Sequence, residues 1–173
     1  MLYKKGGYWV DMDMICIKAL DFKEPYVFSS ERTIKEGALA SNAPYVPNIG
    51  ILKAPKGSEF YRELHDRCME LEEKKINDDK LKYMRVLRKM IIKYNYRKYV
   101  KLPIYFCHLD WWYAKDAFMN LKKFRPKYGH PGLTMKSIFN KPYTIHLWRD
   151  LVTNKYKLDT NGIYHPNSLW EKL

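Results

Sequence analysis

Apolar and polar positions fall into short β-type runs toward both ends of the chain and two helical runs in its middle. Residues 8 to 11, 14 to 19, 26 to 29, 48 to 53 and 143 to 148 are rich in aromatic and β-branched side chains and bounded by Gly, Pro or Asp. Each predicts a strand, with a shorter one near 104 to 107. From 58 to 75, Phe60, Leu64, Cys68 and Leu71 recur at helical spacing behind Ser58, whose hydroxyl suits an N-cap. From 79 to 99, Met84, Leu87, Ile91 and Tyr94 repeat that spacing. Asn77, Asp78 and Asp79 separate the two runs, which predicts an antiparallel helical hairpin, 56–101, inserted into a sheet domain. A third helix is expected at 113 to 122 and a short one at 168 to 172. Pro126, Pro131 and Pro142, with Gly129 and Gly132, mark 125 to 142 as irregular. The pattern is α/β, and 173 residues predict a single domain, 1–173.

Within this pattern Asp11 and Asp13 are out of place, because they interrupt an apolar, strand-forming run that follows Gly6 and Gly7. An ionised carboxylate removed from water costs several kcal/mol or more without a compensating cation or donor. On a strand, residues two apart share a face, so the pair is expected side by side with Met12 opposite. Two such carboxylates suit Mg2+ or Mn2+, which completes its shell with phosphate oxygens and water. The plain alternative is an Asp-x-Asp in a solvated turn.

Gly6-Gly7-Tyr8-Trp9-Val10-Asp11-Met12-Asp13, followed by an apolar strand and Lys18-Ala19-Leu20-Asp21-Phe22, resembles glycosyltransferases that carry the DXD sugar-binding region. Further segments are similar to that family in order: Tyr26 to Glu31, Asn48 to Phe60, Thr144 to Trp148 with its His-x-Trp, and Asn167 to Leu173 with its Ser-Leu-x-x-x-Leu. The resemblance implies a GT-A-like mixed sheet with flanking helices, and transfer of a sugar from a nucleotide-sugar, with retention, to a glycan or lipid-linked acceptor. It implies that Asp11 and Asp13 bind donor and Mn2+ or Mg2+, that Gly7 and Asn48 line the donor site, and that His146 is a further metal or diphosphate ligand beside Trp148. Members place roughly 70 to 100 residues of nucleotide-binding βαβ units before this strand, in the crevice where open α/β sheets bind ligands. Here Met1 to Gly6 reads as the last turn of a helix with a glycine cap, so the expectation is the C-terminal part of such a domain.

Charge adds a second feature. Thirty-two Lys plus Arg against 19 Asp plus Glu give +13, centred on residues 80 to 101. A basic amphipathic helix can lie on anionic lipid at the cytoplasmic face of a membrane, or its interleaved tyrosines can grip nucleic acid, or it is a solvated face. Nucleic acid is the less favoured partner, because Asp11 and Asp13 would repel phosphate without a cation. Three scattered cysteines (Cys16, Cys68, Cys107) support neither a zinc site nor a disulfide framework and read as reduced thiols of a cytosolic protein. A phosphoryl-transfer hydrolase is disfavoured, since no second carboxylate cluster and no glycine-rich phosphate loop follow. An inactive remnant of the transferase fold is the other alternative. Asp110, Trp111, Trp112 and Trp148 are candidate acceptor-binding residues, because sugars pack on aromatic faces; a core aromatic cluster is the competing reading of the first three.

Overall fold

A computed structural model describes residues 1–33, 45–73, 82–119, 123–128 and 132–173. A single domain was expected; the chain divides into two compact units. The first comprises Met1–Asp11 and Asp21–Leu102, the second Met12–Leu20 and Pro103–Leu173. The architecture is mixed α/β, with small antiparallel sheets and several helices.

In the first unit, helix α1 (Leu2–Lys5) closes on Gly6, whose φ of 69° is the left-handed conformation open to glycine. A Cβ there would meet the Lys56 backbone nitrogen at 2.6 Å. Gly6→Ala is therefore expected to cost about 2 kcal/mol or more, read from the urea unfolding midpoint. Strand β1 (Gly7–Val10) pairs with β4 (Tyr45–Ala54), which also pairs with β3 (Val27–Arg32), giving the order β1-β4-β3. Phe28 faces Leu52 and Ser30 faces Pro47, so β4 bulges opposite Ser29. Side chains satisfy the backbone groups the bulge frees. Ser29 Oγ accepts from Ile51 N at 2.9 Å, and Asn48 Oδ1 accepts from Gly50 N at 3.2 Å.

Helices form over both runs of helical spacing. Helix α2 (Glu59–Glu73) starts behind Ser58, whose Oγ lies 3.4 Å from Tyr61 N. Helix α3 (Lys82–Lys93) runs back along it, as the ion pairs Glu72 with Lys82 and Glu63 with Lys93 at opposite ends show. The second helix ends earlier than its apolar spacing predicts, because Asn95 turns left-handed at φ 58°. Tyr96 N donates to Ile91 O and Asn95 N to Ile92 O, the paired bonds of a Schellman stop. Leu87, Met90 and Ile91 pack with Phe60, Tyr61, Phe28 and Leu52, and Tyr26, Tyr94, Tyr96 and Tyr99 close over them.

The second unit is built from shorter pieces. Strand β2 (Met14–Cys16) pairs with β7 (Thr144–His146), and β5 (Lys123–Phe124) with β6 (Leu133–Thr134). The strand expected near 104 to 107 is instead helix α4 (Pro103–Phe106), with Pro103 at its first position, where a missing N–H costs nothing. The helix expected at 113 to 122 resolves, among the described residues, into two 3-10 turns at Trp111–Tyr113 and Asp116–Phe118; residues 120 to 122 lie outside the description. Within the stretch expected to be irregular, helix α5 (Met135–Asn140) forms behind a reciprocal Thr134–Ser137 capping box. The short C-terminal helix is one 3-10 turn, Trp170–Lys172, with buried Ser168 Oγ accepting from Glu171 N at 3.2 Å. Phe106, Cys107, Leu109, Tyr113, Phe124, Ile138, Ile145 and Leu169 are all almost completely buried. Among the described residues no helix is long and apolar enough to cross a membrane.

Candidate functional site

The pairing of β2 with β7 sets Met14 opposite His146. Asp13, one residue before β2, therefore meets the chain as it leaves β7, and its carbonyl accepts from Leu147 N at 2.9 Å. Trp148 then takes a left-handed φ of 55°, rare for a large side chain and a feature that concentrates at functional sites. The next amide, Arg149 N, donates to Asp13 Oδ2 at 3.0 Å. His146 Nε2 lies 3.4 Å from the same oxygen.

Two further contacts fix the His146 ring. Trp148 stacks on it at 3.8 Å between centroids and 25° between planes, and its own indole N–H donates to Leu109 O at 2.8 Å. On the other edge Cys107 Sγ lies 3.8 Å from Nδ1. With the ring proton on Nε2 the imidazole donates to Asp13 Oδ2; with it on Nδ1, facing Cys107 Sγ, Nε2 presents a lone pair that a metal ion can take.

Burial by itself would raise the Asp13 pKa. The hydrogen bond and charge of His146, then the Arg149 and Asp13 amides, outweigh it, and the net shift is downward. A carboxylate whose folded pKa lies below its unfolded value stabilises the fold above that unfolded value, about 3.9, and the contribution fades as pH falls through the folded one. The stability difference between the wild-type chain and Asp13→Asn, measured by thermal unfolding in chelator, is therefore expected to be largest above about pH 4 to 5 and to shrink in stronger acid.

Asp13 and Arg149 open onto a pocket of about 280 Å3, also lined by Thr160, Asn161 and Trp170. Trp170 is held by stacking on Phe118 at 4.4 Å. Among the described residues the Arg149 guanidinium makes no ion pair and its side chain is exposed. The volume is at the small end of ligand sites, a size for a diphosphate rather than for a whole nucleotide-sugar.

The predicted site residues divide between the units. Asp13, His146 and Trp148 come together in the second. Asp110 and Trp112 belong to it too, but are only 3% and 4% exposed. Trp112 packs edge-on against Trp111 and Tyr128 in an aromatic cluster. A sugar platform needs an open ring face, which Trp112 lacks. Gly7, Asp11 and Asn48 lie in the first unit. Gly7 pairs across from Ala54 at one end of β1. At the other end Asp11 N donates to Gly50 O, and Asp11 Oδ1 accepts from Trp9 Nε1 at 2.7 Å. Asn48, 3% exposed, is taken up by the bulge, with its Nδ2 donating to Glu31 Oε2 at 3.2 Å. The expectation that Asp11 and Asp13 share one strand face is corrected: β1 stops at Val10, and Met12 and Asp13 form a turn, where the two-residue alternation does not operate.

Arg149, Thr160 and Asn161 were not singled out by sequence reasoning. Arg149 had one usable signal, its place immediately after the His-x-Trp strand. Thr160 and Asn161 sit in a polar loop that carries no pattern.

Among the described residues no group of three His, Cys, Asp or Glu side chains is placed to hold a metal. Asp13 with His146 still fits a divalent ion as a two-ligand set. Two neighbouring ligands, each about 2.1 Å from one ion, stand about 3.0 to 3.4 Å apart, and carboxylate with imidazole suits Mn2+. Comparison with protein-family models, curated proteins and solved structures found no match, so the site is read from its own chemistry.

Proposed function

We propose that the pocket at Asp13 and Arg149, with His146 against the Asp13 carboxylate, is the diphosphate end of a nucleotide-sugar site, and that the chain is a metal-dependent glycosyltransferase of the DXD type with a GT-A-like arrangement. The observation that carries this reading is the meeting of Asp13, which lines a pocket together with Arg149, and His146, 133 positions away, which lies 3.4 Å from the Asp13 carboxylate. The ordered motifs Asp-x-Asp, His-x-Trp and Ser-Leu support it.

Each side chain has a task in this reading. Asp13, kept ionised, and His146, through Nε2, hold Mn2+ or Mg2+. The Arg149 amide fixes the carboxylate from behind, and Trp148 keeps the imidazole from rotating. The Arg149 guanidinium binds a phosphate by paired charge-assisted hydrogen bonds, while Thr160 and Asn161 offer neutral donors. When bound, the ion neutralises charge that gathers on the departing diphosphate. Without a cation, ionised Asp13 would repel phosphate, so Arg149 and the metal are complementary requirements.

Calorimetric titration of nucleoside diphosphates and nucleotide-sugars, with and without Mn2+, tests the reading. Saturable binding that needs Mn2+ is expected. Arg149→Gln should weaken it about 10- to 100-fold, the loss of one or two charged hydrogen bonds. Binding indifferent both to Mn2+ and to Arg149→Gln would remove the assignment.

A further inference from the structure

The two arms of the helical hairpin carry opposite charge. Helix α2 has six acids against Arg62 and Arg67, whereas α3 has five cations and no acid. The ends of α3 are neutralised across the hairpin, where Lys82 Nζ is 2.9 Å from Glu72 and Lys93 Nζ is 2.5 Å from Glu63. Between them Arg88 and Lys89 are exposed, on the side opposite buried Leu87, Met90 and Ile91.

Ile92 follows Lys89, Arg88 and Arg85 by three, four and seven residues and so shares their face. It is 48% exposed, an apolar side chain set among cations, outside the core cluster that holds its neighbour Ile91. Lipid and nucleic acid would both attract the cations, but only lipid offers an apolar layer beneath its phosphates. The residues that would stack on bases are also turned away. Tyr94 and Tyr96 pack on Phe60, at 5.3 and 5.5 Å between ring centroids, and Tyr99 packs on Tyr26 at 5.6 Å.

We propose that the outward face of α3 is a docking surface for an anionic lipid bilayer, with Arg88 and Lys89 at the headgroup phosphates and Ile92 at the acyl boundary. The twelve-residue helix lies flat, about 18 Å long, as interfacial amphipathic helices do. This surface is independent of the sugar-transfer reading, since it involves none of the pocket residues.

Co-sedimentation of the whole chain with vesicles tests it. Vesicles of phosphatidylcholine with about 30% phosphatidylserine should bind the protein, pure phosphatidylcholine should not, and binding should fall as salt rises from roughly 0.05 to 0.5 M. Arg88→Gln with Lys89→Gln should weaken partitioning about 30-fold, about fivefold for each cation. Ile92→Ser should weaken it about fivefold and leave binding to a single-stranded oligonucleotide unchanged. Circular dichroism confirms that these exposed variants keep the helix. Equal binding to both vesicle types overturns the proposal. So does an Ile92→Ser variant that loses nothing on lipid while the wild-type chain binds the oligonucleotide more tightly than the vesicles, which would make the face a nucleic-acid surface.

Discussion

Asp13→Asn is expected to lower the affinity of the chain for a Mn2+–nucleoside diphosphate complex by about 100-fold or more, with the fold retained. The asparagine carbonyl can still accept from Arg149 N, so the turn that follows Trp148 keeps its anchor. What disappears is the negative charge that a divalent ion needs, together with its pairing to His146. Calorimetry of the variant against the wild-type chain reads the change, and far-ultraviolet circular dichroism reads the fold. An Asp13→Asn chain that binds the Mn2+ complex as well as the wild type does would sink the metal-site reading, whatever happens at Arg149.

The second large effect is on stability. Phe60→Ala is expected to cost about 3 to 5 kcal/mol, the range for removing a fully buried aromatic ring. Phe60 is completely buried, and its ring lies between 5.1 and 6.2 Å, centroid to centroid, from those of Tyr61, Phe28, Tyr94, Tyr96 and Tyr26. Its loss would open a void at the point where α2, α3 and the sheet of the first unit meet. Small domains are stable by only about 5 to 15 kcal/mol, so the variant should unfold at markedly lower urea. A loss below about 1 kcal/mol would mean that the cluster closes around the gap.

The parts of the fold legible in the sequence were those where one local signal dominated. The hairpin was readable because Phe60 to Leu71 and Met84 to Tyr94 keep helical spacing over several turns and Ser58 supplies the cap. Helix α4 was misread as a strand, since Pro-Ile-Tyr-Phe is apolar and β-prone and only its packing decides otherwise. Helix α5 was hidden among prolines and glycines, and its capping box uses Ser137 where Glu or Gln is the usual signature. At the candidate site, Asp13 stood out because a carboxylate in an apolar run calls for a partner, and His146 only because the family resemblance places it near the metal. Their mutual geometry was not readable. It depends on the β2–β7 register and on left-handed Trp148, neither of which leaves a local trace.

The pairing of β2 with β7 also sets a timetable. Thr144 Oγ1 meets the sulfur of Met14 across 130 residues of chain, so the edge of the pocket that carries Asp13 waits for the far end to be made. At roughly 5 to 20 residues per second, β2 leaves the ribosome some 7 to 26 seconds before its partner strand exists. Through that interval the first unit can complete its sheet and hairpin while Met14 to Cys16 remains an unpaired strand edge. A nascent chain that stops before Thr144 would carry Met14 to Cys16 as an adhesive strand without its partner. The pocket, lined from Met12 to Trp170, is therefore completed only as synthesis ends.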